Sequence, residues 1–224
     1  MSRAPLRVVV VSAGLRDPSA TRLLADRIAD AVVRRTGAGG APVAVTHVEL
    51  RLHARALADH LLTGFPAPEL AAAIAEVATA DAVVAVTPVF SASYSGLFKT
   101  FFDVLEPGTL DGVPVLVAAT AGSARHSLVL DHALRPLFSH LRAVVVPTGV
   151  FAAAEDWGSV DDTTTALEQR IDRAVDELAA LLRPVAPVLH VVGAAPAGAS
   201  APSAAEGEDP EFPDLVPFEE LLGR

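Results

Sequence analysis

Short, continuous apolar runs recur along the first 183 residues, and a polar turn follows each of them. The first run is rich in valine and ends in Ser12-Ala13-Gly14. Strands that are buried on both faces have this unbroken apolar character, because helices cover both sides of a parallel sheet. The pattern predicts five strands: Leu6–Val11, Val43–Leu50, Ala82–Thr87, Val113–Thr120 and Ala143–Thr148.

Most segments between these runs have the apolar spacing of helices. The predicted helices are Ala20–Arg35, Pro68–Ala80, Ser95–Leu105, His126–Leu141 and Val160–Leu182. The stretch Gly37–Gly40 is predicted to end the first helix, and the chain between Leu50 and Pro68 to be irregular. This alternation predicts an α/β domain with a doubly wound, five-stranded parallel sheet and helices on both faces.

From Pro184 onward the composition changes. Pro, Ala, Gly and Ser dominate up to about Ala205, and residues 206–224 then hold seven acidic residues against one arginine. Such a segment buries too little apolar surface to offset the entropy of ordering. We therefore predict a domain over 1–183 and a linker with an acidic tail over 184–224. Apolar positions within Pro213–Leu222 suit docking on this domain or on a neighbouring subunit, and a frayed tail fits the composition equally well.

Composition excludes several functional classes. The chain has no cysteine, which removes disulfides, thiolate metal sites and a cysteine nucleophile, and fits a reducing cytoplasm. A net charge of −10 disfavours binding to nucleic acid or to an anionic membrane, and no apolar stretch reaches the ~18–20 residues of a membrane span. None of the seven histidines forms an H-x-x-x-H pair, so no metal site is predicted.

Three turns after predicted strands carry the candidate ligand-binding groups, because ligands of doubly wound sheets bind at the carboxyl ends of the strands. The first turn, Ser12–Thr21, precedes a helix whose free N–H groups attract phosphate, and Asp17 within it must point away from such a group. Its hydroxyl and cationic candidates are Ser12, Arg16, Ser19 and Thr21. Serines at this position are also ordinary helix caps.

The second turn, Thr87–Lys99, and the third, Thr120–His126, contain small, hydroxyl and aromatic residues. Phe90 and Tyr94 offer flat surfaces, and the neighbouring serines offer hydrogen bonds to a heteroaromatic ring. Core packing by Tyr94 and capping by Ser95 would explain part of the second turn without a ligand, and His126 has an alternative as a surface polar group.

The turns lack the signatures of several other α/β proteins. The first has neither a G-x-G-x-x-G pattern nor a Walker A lysine, which disfavours the dinucleotide fold and nucleotide triphosphatases. A G-x-S-x-G nucleophile elbow is also missing, which disfavours an α/β-hydrolase.

Taken together, the three turns resemble the NADPH-dependent FMN reductase family, and in particular the reductases that supply reduced flavin to two-component monooxygenases. The similar stretches are SAGLRDPSATRLLADRI (12–28), TPVFSASYSGLFKTFFD (87–103) and ATAGSARHSLVLDHALRPLF (119–138). The resemblance implies a flavodoxin-like fold, non-covalent FMN and hydride transfer from NAD(P)H to flavin, with no catalytic side chain. It also implies a homodimer or homotetramer, with positions 94–105 and 126–141 near the interface.

The resemblance further implies roles for particular residues. Ser12, Ser19 and Thr21 would hold the FMN phosphate. The residues implied to lie along the flavin ring are Pro88, Val89, Phe90 and Ser91, with Ser93 nearby; those implied to meet flavin or nicotinamide are Thr120, Gly122 and Ser123. Three positions depart from the family pattern: Phe90 replaces a common tyrosine, Ala121 a frequent glycine, and His132 a tyrosine found in a helix bulge of some tetrameric members.

Two alternatives share this sequence pattern. One is an NAD(P)H-dependent quinone, azo or chromate reductase that keeps FMN as a prosthetic group. The other is a flavin-binding electron carrier or redox sensor without nicotinamide turnover. Either Arg16 or Arg125 has the charge to meet a 2′-phosphate, and the sequence leaves the choice between NADH and NADPH open.

Overall fold

Alternating valines in the first strand face two separate cores. In the computed structural model, which describes residues 4–37, 42–157 and 163–183, Val8 and Val10 pack in one apolar cluster, and Val9 and Val11 pack in another. Successive side chains of a strand point to opposite faces, so this division shows that both faces of the sheet are covered.

The sheet has seven strands. They are β1 (Leu6–Ser12), β2 (Val43–Glu49), β3 (Ala82–Phe90), β4 (Ser93–Tyr94), β5 (Pro114–Ala121), β6 (Val144–Val145) and β7 (Val150–Ala153). The spatial order is β2-β1-β3-β5-β6, with every neighbouring pair on this path parallel. β7 pairs parallel with β5, and β4 pairs antiparallel with β3.

The prediction of a doubly wound parallel sheet is confirmed, with a refinement of its strand number. The predicted fifth strand, Ala143–Thr148, forms only the short β6; β7 begins beyond its predicted end, and Pro147 between the two has no amide hydrogen for pairing with β5. β4 is an additional strand that folds back on β3. Five parallel positions therefore remain across the sheet, with one of them interrupted.

Six α-helices flank the sheet in the described residues. They are α1 (Ala20–Gly37), α2 (Ala54–Thr63), α3 (Pro68–Ala78), α4 (Gly96–Asp103), α5 (Arg135–His140) and α6 (Thr163–Leu182). Helices α1 and α6 cover the face of Val8 and Val10. Helices α2 to α5 cover the other face, where the rings of Phe98 and Phe138 both pack against Phe102, at centroid distances of 4.7 and 4.9 Å.

Two helix predictions are wrong. The stretch after Leu50 is not irregular: a 3-10 turn, Leu50–His53, leads into α2, which Gly64 ends in a left-handed conformation at φ 76°. The predicted helix His126–Leu141 is helical only from Val129 to His140 and changes type within that range, with Pro136, which has no N–H to donate, in the first turn of α5. A 3-10 turn (Ala124–His126) and a π-helical turn (Leu130–Leu134) precede α5.

Residues Met1–Pro184 form one compact unit. The predicted linker and tail, 184–224, lie outside the described residues, as do 38–40 of the predicted glycine stop and 160–162 of the predicted last helix. No single described helix is long and apolar enough to cross a membrane; only Leu50–Thr63 with Pro68–Ala78, a pair bent by 90°, reaches that length and hydropathy.

Candidate active site

A cavity of about 770 Å³ lies at the carboxyl ends of the parallel strands. Turns after β1, β3, β5 and β7 supply its walls. The lining consists of Leu15, Arg16, Pro18, Ser19, Ala20, Thr21, Pro88, Val89, Phe90, Thr120, Ala121, Gly122, Ala154 and Trp157. The three turns singled out by the sequence therefore meet at one edge of the sheet, together with a fourth.

Close packing shapes the first turn. A Cβ added to Gly14 would lie 2.0 Å from the Oγ of Ser19, so only glycine allows the chain to fold this tightly before α1. The Oγ of Ser19 accepts a hydrogen bond from the N–H of Arg22 at 3.2 Å and caps the helix. Accepting this bond leaves the hydroxyl proton of Ser19 for donation to an anionic oxygen.

A hydrogen bond joins the first turn to the third. The hydroxyls of Thr21 and Thr120 lie 2.8 Å apart, and both side chains are buried. One hydroxyl donates to the other, and both residues line the cavity. The start of α1 is thereby fixed to the end of β5, so the two turns form a single wall.

A two-residue hairpin forms the second turn. Ser91 and Ala92 have φ values of 50° and 64°, the left-handed conformation that tight hairpins between twisted strands require and that side chains disfavour. The Thr87 hydroxyl accepts from the N–H of Ser95 at 3.0 Å and donates to the carbonyl of Pro88 at 2.9 Å. These bonds fix the base of the hairpin, and Phe90 is left about half exposed beside the cavity.

Two residues of the second turn have structural roles. Ser95 caps α4 by accepting from the N–H of Phe98 at 3.2 Å. Tyr94 packs on Phe98, with a centroid distance of 5.9 Å. The alternative interpretation of these two residues as cap and packing is therefore correct.

Gly122 leaves open space in the third turn. A Cβ added there would meet no protein atom within 4 Å, although the residue lines the cavity. Packing within the protein therefore gives no reason for glycine at this position. The open space at Gly122, in a cavity that Val89 and Phe90 also line, fits the approach of a flat ring.

The turn after β7 escaped the sequence analysis. Its carboxylate Asp156 accepts from the N–H of Ala153 at 2.7 Å and from Arg170 at 2.8 Å. This anchoring places Trp157 in the cavity wall, with the Arg27 guanidinium 5.0 Å from its ring centroid. The strand-end rule that selected the other three turns applies equally here, but the predicted strand ended at Thr148 and the next helix was taken to follow.

The cavity has a positive electrostatic character. Arg16 is the one charged side chain in the lining as described, and the N-terminus of α1 adds the partial positive charge of an 18-residue helix. Asp17 is 79% exposed and lies 3.5 Å from Arg51, outside the lining. The condition that this carboxylate point away from a bound phosphate is met.

The thirteen predicted site residues divide into three groups. Eight line the large cavity: Arg16, Ser19, Thr21, Pro88, Val89, Phe90, Thr120 and Gly122. Ser93 and His126 line a smaller neighbouring cavity of about 270 Å³. Ser12, Ser91 and Ser123 are outside both linings as described; Ser12 is 2% exposed at the end of β1, and the Oγ of Ser123 accepts from the N–H of Arg125.

A second cavity of about 770 Å³ lies at the other edge of the sheet, before β5 and β6 begin. Four charged groups along it form two ion pairs, Lys99 with Asp103 and Arg142 with Asp111. It is at the amino ends of the strands, where doubly wound sheets do not bind their ligands. The carboxyl-edge cavity is therefore the candidate active site.

Fold and site together define a class, the flavodoxin-like proteins. A flavodoxin, WrbA-like protein from Agrobacterium tumefaciens has the same fold, with a TM-score of 0.55 and 19% identity over 80% of this chain and all of that one. An oxidoreductase from Corynebacterium diphtheriae is 48% identical, with a TM-score of 0.76 over 80% of this chain and 98% of that one.

Within this class, the sequence model of the NADPH-dependent FMN reductases matches residues 6–158, and the chain belongs to that family. The NADH-dependent FMN reductase SfnF of Pseudomonas fluorescens is 39% identical over 81% of this chain and 94% of its own length. An FMN reductase (NADPH) of Pseudomonas aeruginosa is 37% identical over 80% and 93%. The protein is thus an oxidoreductase of a family that uses FMN and NAD(P)H, as the resemblance predicted.

Proposed function

We propose that this protein reduces FMN with NAD(P)H in the carboxyl-edge cavity and then releases the reduced flavin. The observation that carries the proposal is the meeting of four strand-end turns around one cavity of about 770 Å³, positive at one end and apolar at the other. Bound FMN supplies the redox chemistry by accepting a hydride from the nicotinamide. The side chains of this protein bind and orient the two reactants.

The first turn suits the phosphate of FMN. Free N–H groups at the start of α1, the hydroxyls of Ser19 and Thr21, and the guanidinium of Arg16 all lie at this end of the cavity. Because Thr120 fixes the Thr21 hydroxyl at 2.8 Å, that group is oriented before any ligand arrives. A phosphate bound here meets donors that need no rearrangement.

The hairpin and the third turn suit the flavin ring. Pro88, Val89 and Phe90 form an apolar wall, and the open space at Gly122 admits a ring without moving protein atoms. The described lining holds no histidine, lysine or carboxylate. Its residues therefore hold the reactants in register, a role that matches a reaction needing only alignment of two rings.

The proposal includes several finer points. Release of reduced FMN to a partner monooxygenase is supported by the exposure of Phe90 and Leu15, 47% and 50%, which leaves the cavity walls partly open. A homodimer or homotetramer is supported by the π turn at Leu130–Leu134, where the bulge was expected. Consumption of NAD(P)H supports a cytoplasmic location, and we propose 184–224 as an appendage to the reductase domain.

The test pairs two glycines that have equal free space. Neither Gly122 nor Gly96 has a protein atom within 4 Å of an added Cβ, but only Gly122 lines the cavity. We expect Gly122→Leu to weaken FMN binding about tenfold or more, because the new side chain occupies the space of the ring, and Gly96→Leu to bind normally. FMN affinity is measured by titration, followed by anaerobic reduction with NADH and with NADPH.

Steady-state kinetics separate the proposal from its alternatives. Saturation by added FMN as a substrate, with trapping of reduced FMN by an external acceptor, supports release. Flavin that stays bound while a quinone, azo dye or chromate is reduced would replace the proposal by the prosthetic-group alternative. Holo-protein that oxidises neither nicotinamide would replace it by an electron carrier or redox sensor.

A further inference from the structure

We propose that the smaller cavity beside the active site binds the 2′-phosphate of NADPH and makes this protein prefer NADPH to NADH. Its lining includes the guanidinium of Arg125 and the imidazoles of His126 and His132, and the volume is about 270 Å³. The inference rests on the proposed function, and it identifies the nicotinamide cofactor that the site takes. The relatives named above divide between NADH and NADPH, so family membership alone does not decide the preference.

The small cavity is built from the same turns as the flavin cavity. Phe90 lines the flavin cavity, and Ala92 and Ser93 of the same hairpin line the small one. Gly122 lines the flavin cavity, and Arg125 of the same turn lines the small one. When the nicotinamide lies on the flavin, the two turns that contact it therefore also line the small cavity, where the other end of the dinucleotide can bind.

An unpaired arginine favours a phosphate there. The described lining contains one arginine and two histidines but no carboxylate. Nine arginines in the described part of the chain make ion pairs, whereas Arg125 does not, a property it shares there with Arg16, Arg55, Arg173 and Arg183; of these five, only Arg125 lines the small cavity.

The nearest carboxylate in sequence is already engaged. Asp131, which precedes His132, lies 2.8 Å from the guanidinium of Arg135. The Oγ of Ser123 accepts from the N–H of Arg125 at 3.3 Å and so fixes the turn that carries Arg125 and His126. Arginine binds two phosphate oxygens at once through its paired N–H donors. NADH has a neutral 2′-hydroxyl in place of the 2′-phosphate and therefore offers arginine no anionic acceptor.

Two measurements test the proposal on the FMN-loaded protein. Calorimetry compares 2′,5′-ADP with 5′-AMP as probes, and kinetics compare kcat/KM for NADPH and NADH. We expect the wild type to bind 2′,5′-ADP more tightly and to prefer NADPH. Arg125→Gln should lower the ratio of kcat/KM for NADPH to kcat/KM for NADH about tenfold, because a hydrogen bond to a charged group is lost. The change should come from a higher KM for NADPH, with the kinetics for NADH unchanged. His132→Gln should lower the ratio less.

Arg55→Gln is the matched control, since Arg55 is also an exposed arginine and lies outside both cavities, and it should change nothing. Reduction of FMN by both nucleotides without preference, or equal loss with both in Arg125→Gln, overturns this inference and leaves the proposed function standing. A different outcome is that 2′,5′-ADP binds more tightly than 5′-AMP, that Arg125→Gln abolishes this difference, and that neither NADPH nor NADH reduces FMN. This outcome supports the phosphate pocket and overturns the proposed function.

Discussion

The hydroxyl pair Thr21–Thr120 allows the coupling between fold and ligand binding to be measured. Both side chains are buried, at 3% and 6% exposure, and their oxygens are 2.8 Å apart. Replacing either threonine with valine keeps the shape and removes the bond. A net intramolecular hydrogen bond contributes about 0.5–1.5 kcal/mol, and a partner left unsatisfied adds a cost of roughly 1–3 kcal/mol. Because the cavity lets water reach the remaining hydroxyl, we expect each single variant to lose about 1–2 kcal/mol.

The double variant should lose less than the sum of the single variants, because all three remove the same bond. We expect a coupling free energy of about 1 kcal/mol, within the range seen for residues in direct contact. Urea unfolding of the four proteins measures it. Thr79→Val is the control, since Thr79 is exposed, precedes β3 and bonds only to carbonyls of its own helix.

FMN adds a second arm to the same experiment. At a concentration 100 times its Kd, a ligand stabilises the native state by about 2.7 kcal/mol. If the Thr21 hydroxyl donates to the phosphate, Thr21→Val weakens binding about tenfold, and the same FMN concentration then stabilises the variant by only about 1.4 kcal/mol. Strictly additive losses of stability would refute the coupling, and an unchanged gain from FMN in Thr21→Val would refute the phosphate assignment.

Three further predictions concern the site and one histidine of β2. Trp157 is the only tryptophan and lines the cavity, so FMN should quench the tryptophan fluorescence of the wild type. Asp156→Asn weakens the anchoring of the turn that carries Trp157 and should reduce FMN affinity severalfold. Normal FMN affinity in this variant would show that the turn is not involved. Riboflavin lacks the phosphate and should bind at least tenfold more weakly than FMN by the same fluorescence assay; equal affinities would contradict a phosphate site at α1. Burial, reinforced by the Arg22 charge, lowers the pKa of His47, so the fold favours the neutral imidazole and stability should fall as pH drops below about 6.5. Between pH 7.5 and 5.5, the free energy of unfolding in urea should fall less in His47→Gln than in the wild type. An equal fall in the two proteins would refute this.

The sequence predicted the sheet well because burial on both faces leaves an unbroken apolar run. It predicted α2 poorly for the opposite reason. Only Leu57 of that helix is fully buried, while Leu61 and Leu62 are 56% and 87% exposed, so the apolar positions do not trace one buried face. The predicted helix His126–Leu141 changes from a π turn to α5 just before Pro136, a residue without an N–H, and hydrophobic spacing does not show such a change.

The site was predictable where a chemical rule selects a position along the chain. Hydroxyl and glycine residues after parallel strands located eight cavity-lining residues. The rule missed Trp157 because the predicted last strand ended at Thr148, five residues before the end of β7 at Ala153. Hydrophobic periodicity does not show where a strand is interrupted and resumes, so the turn that follows it is misplaced as well.

The distribution of buried polar groups explains why this edge of the sheet is ready for a ligand. Burying a polar group without a partner is costly, so a stable fold keeps few of them and satisfies each. Seven polar side chains are buried among the described residues, and all but Thr36 lie at or just after the carboxyl ends of parallel strands: Ser12, Thr21, Thr87, Ser95, Thr120 and Asp156. Their bonds run between turns or to the turn backbone, as in Thr21 with Thr120, Thr87 with Ser95 and Asp156 with Ala153. Since these bonds are made within the protein itself, the walls hold their shape before FMN binds, and binding free energy is not spent on ordering them.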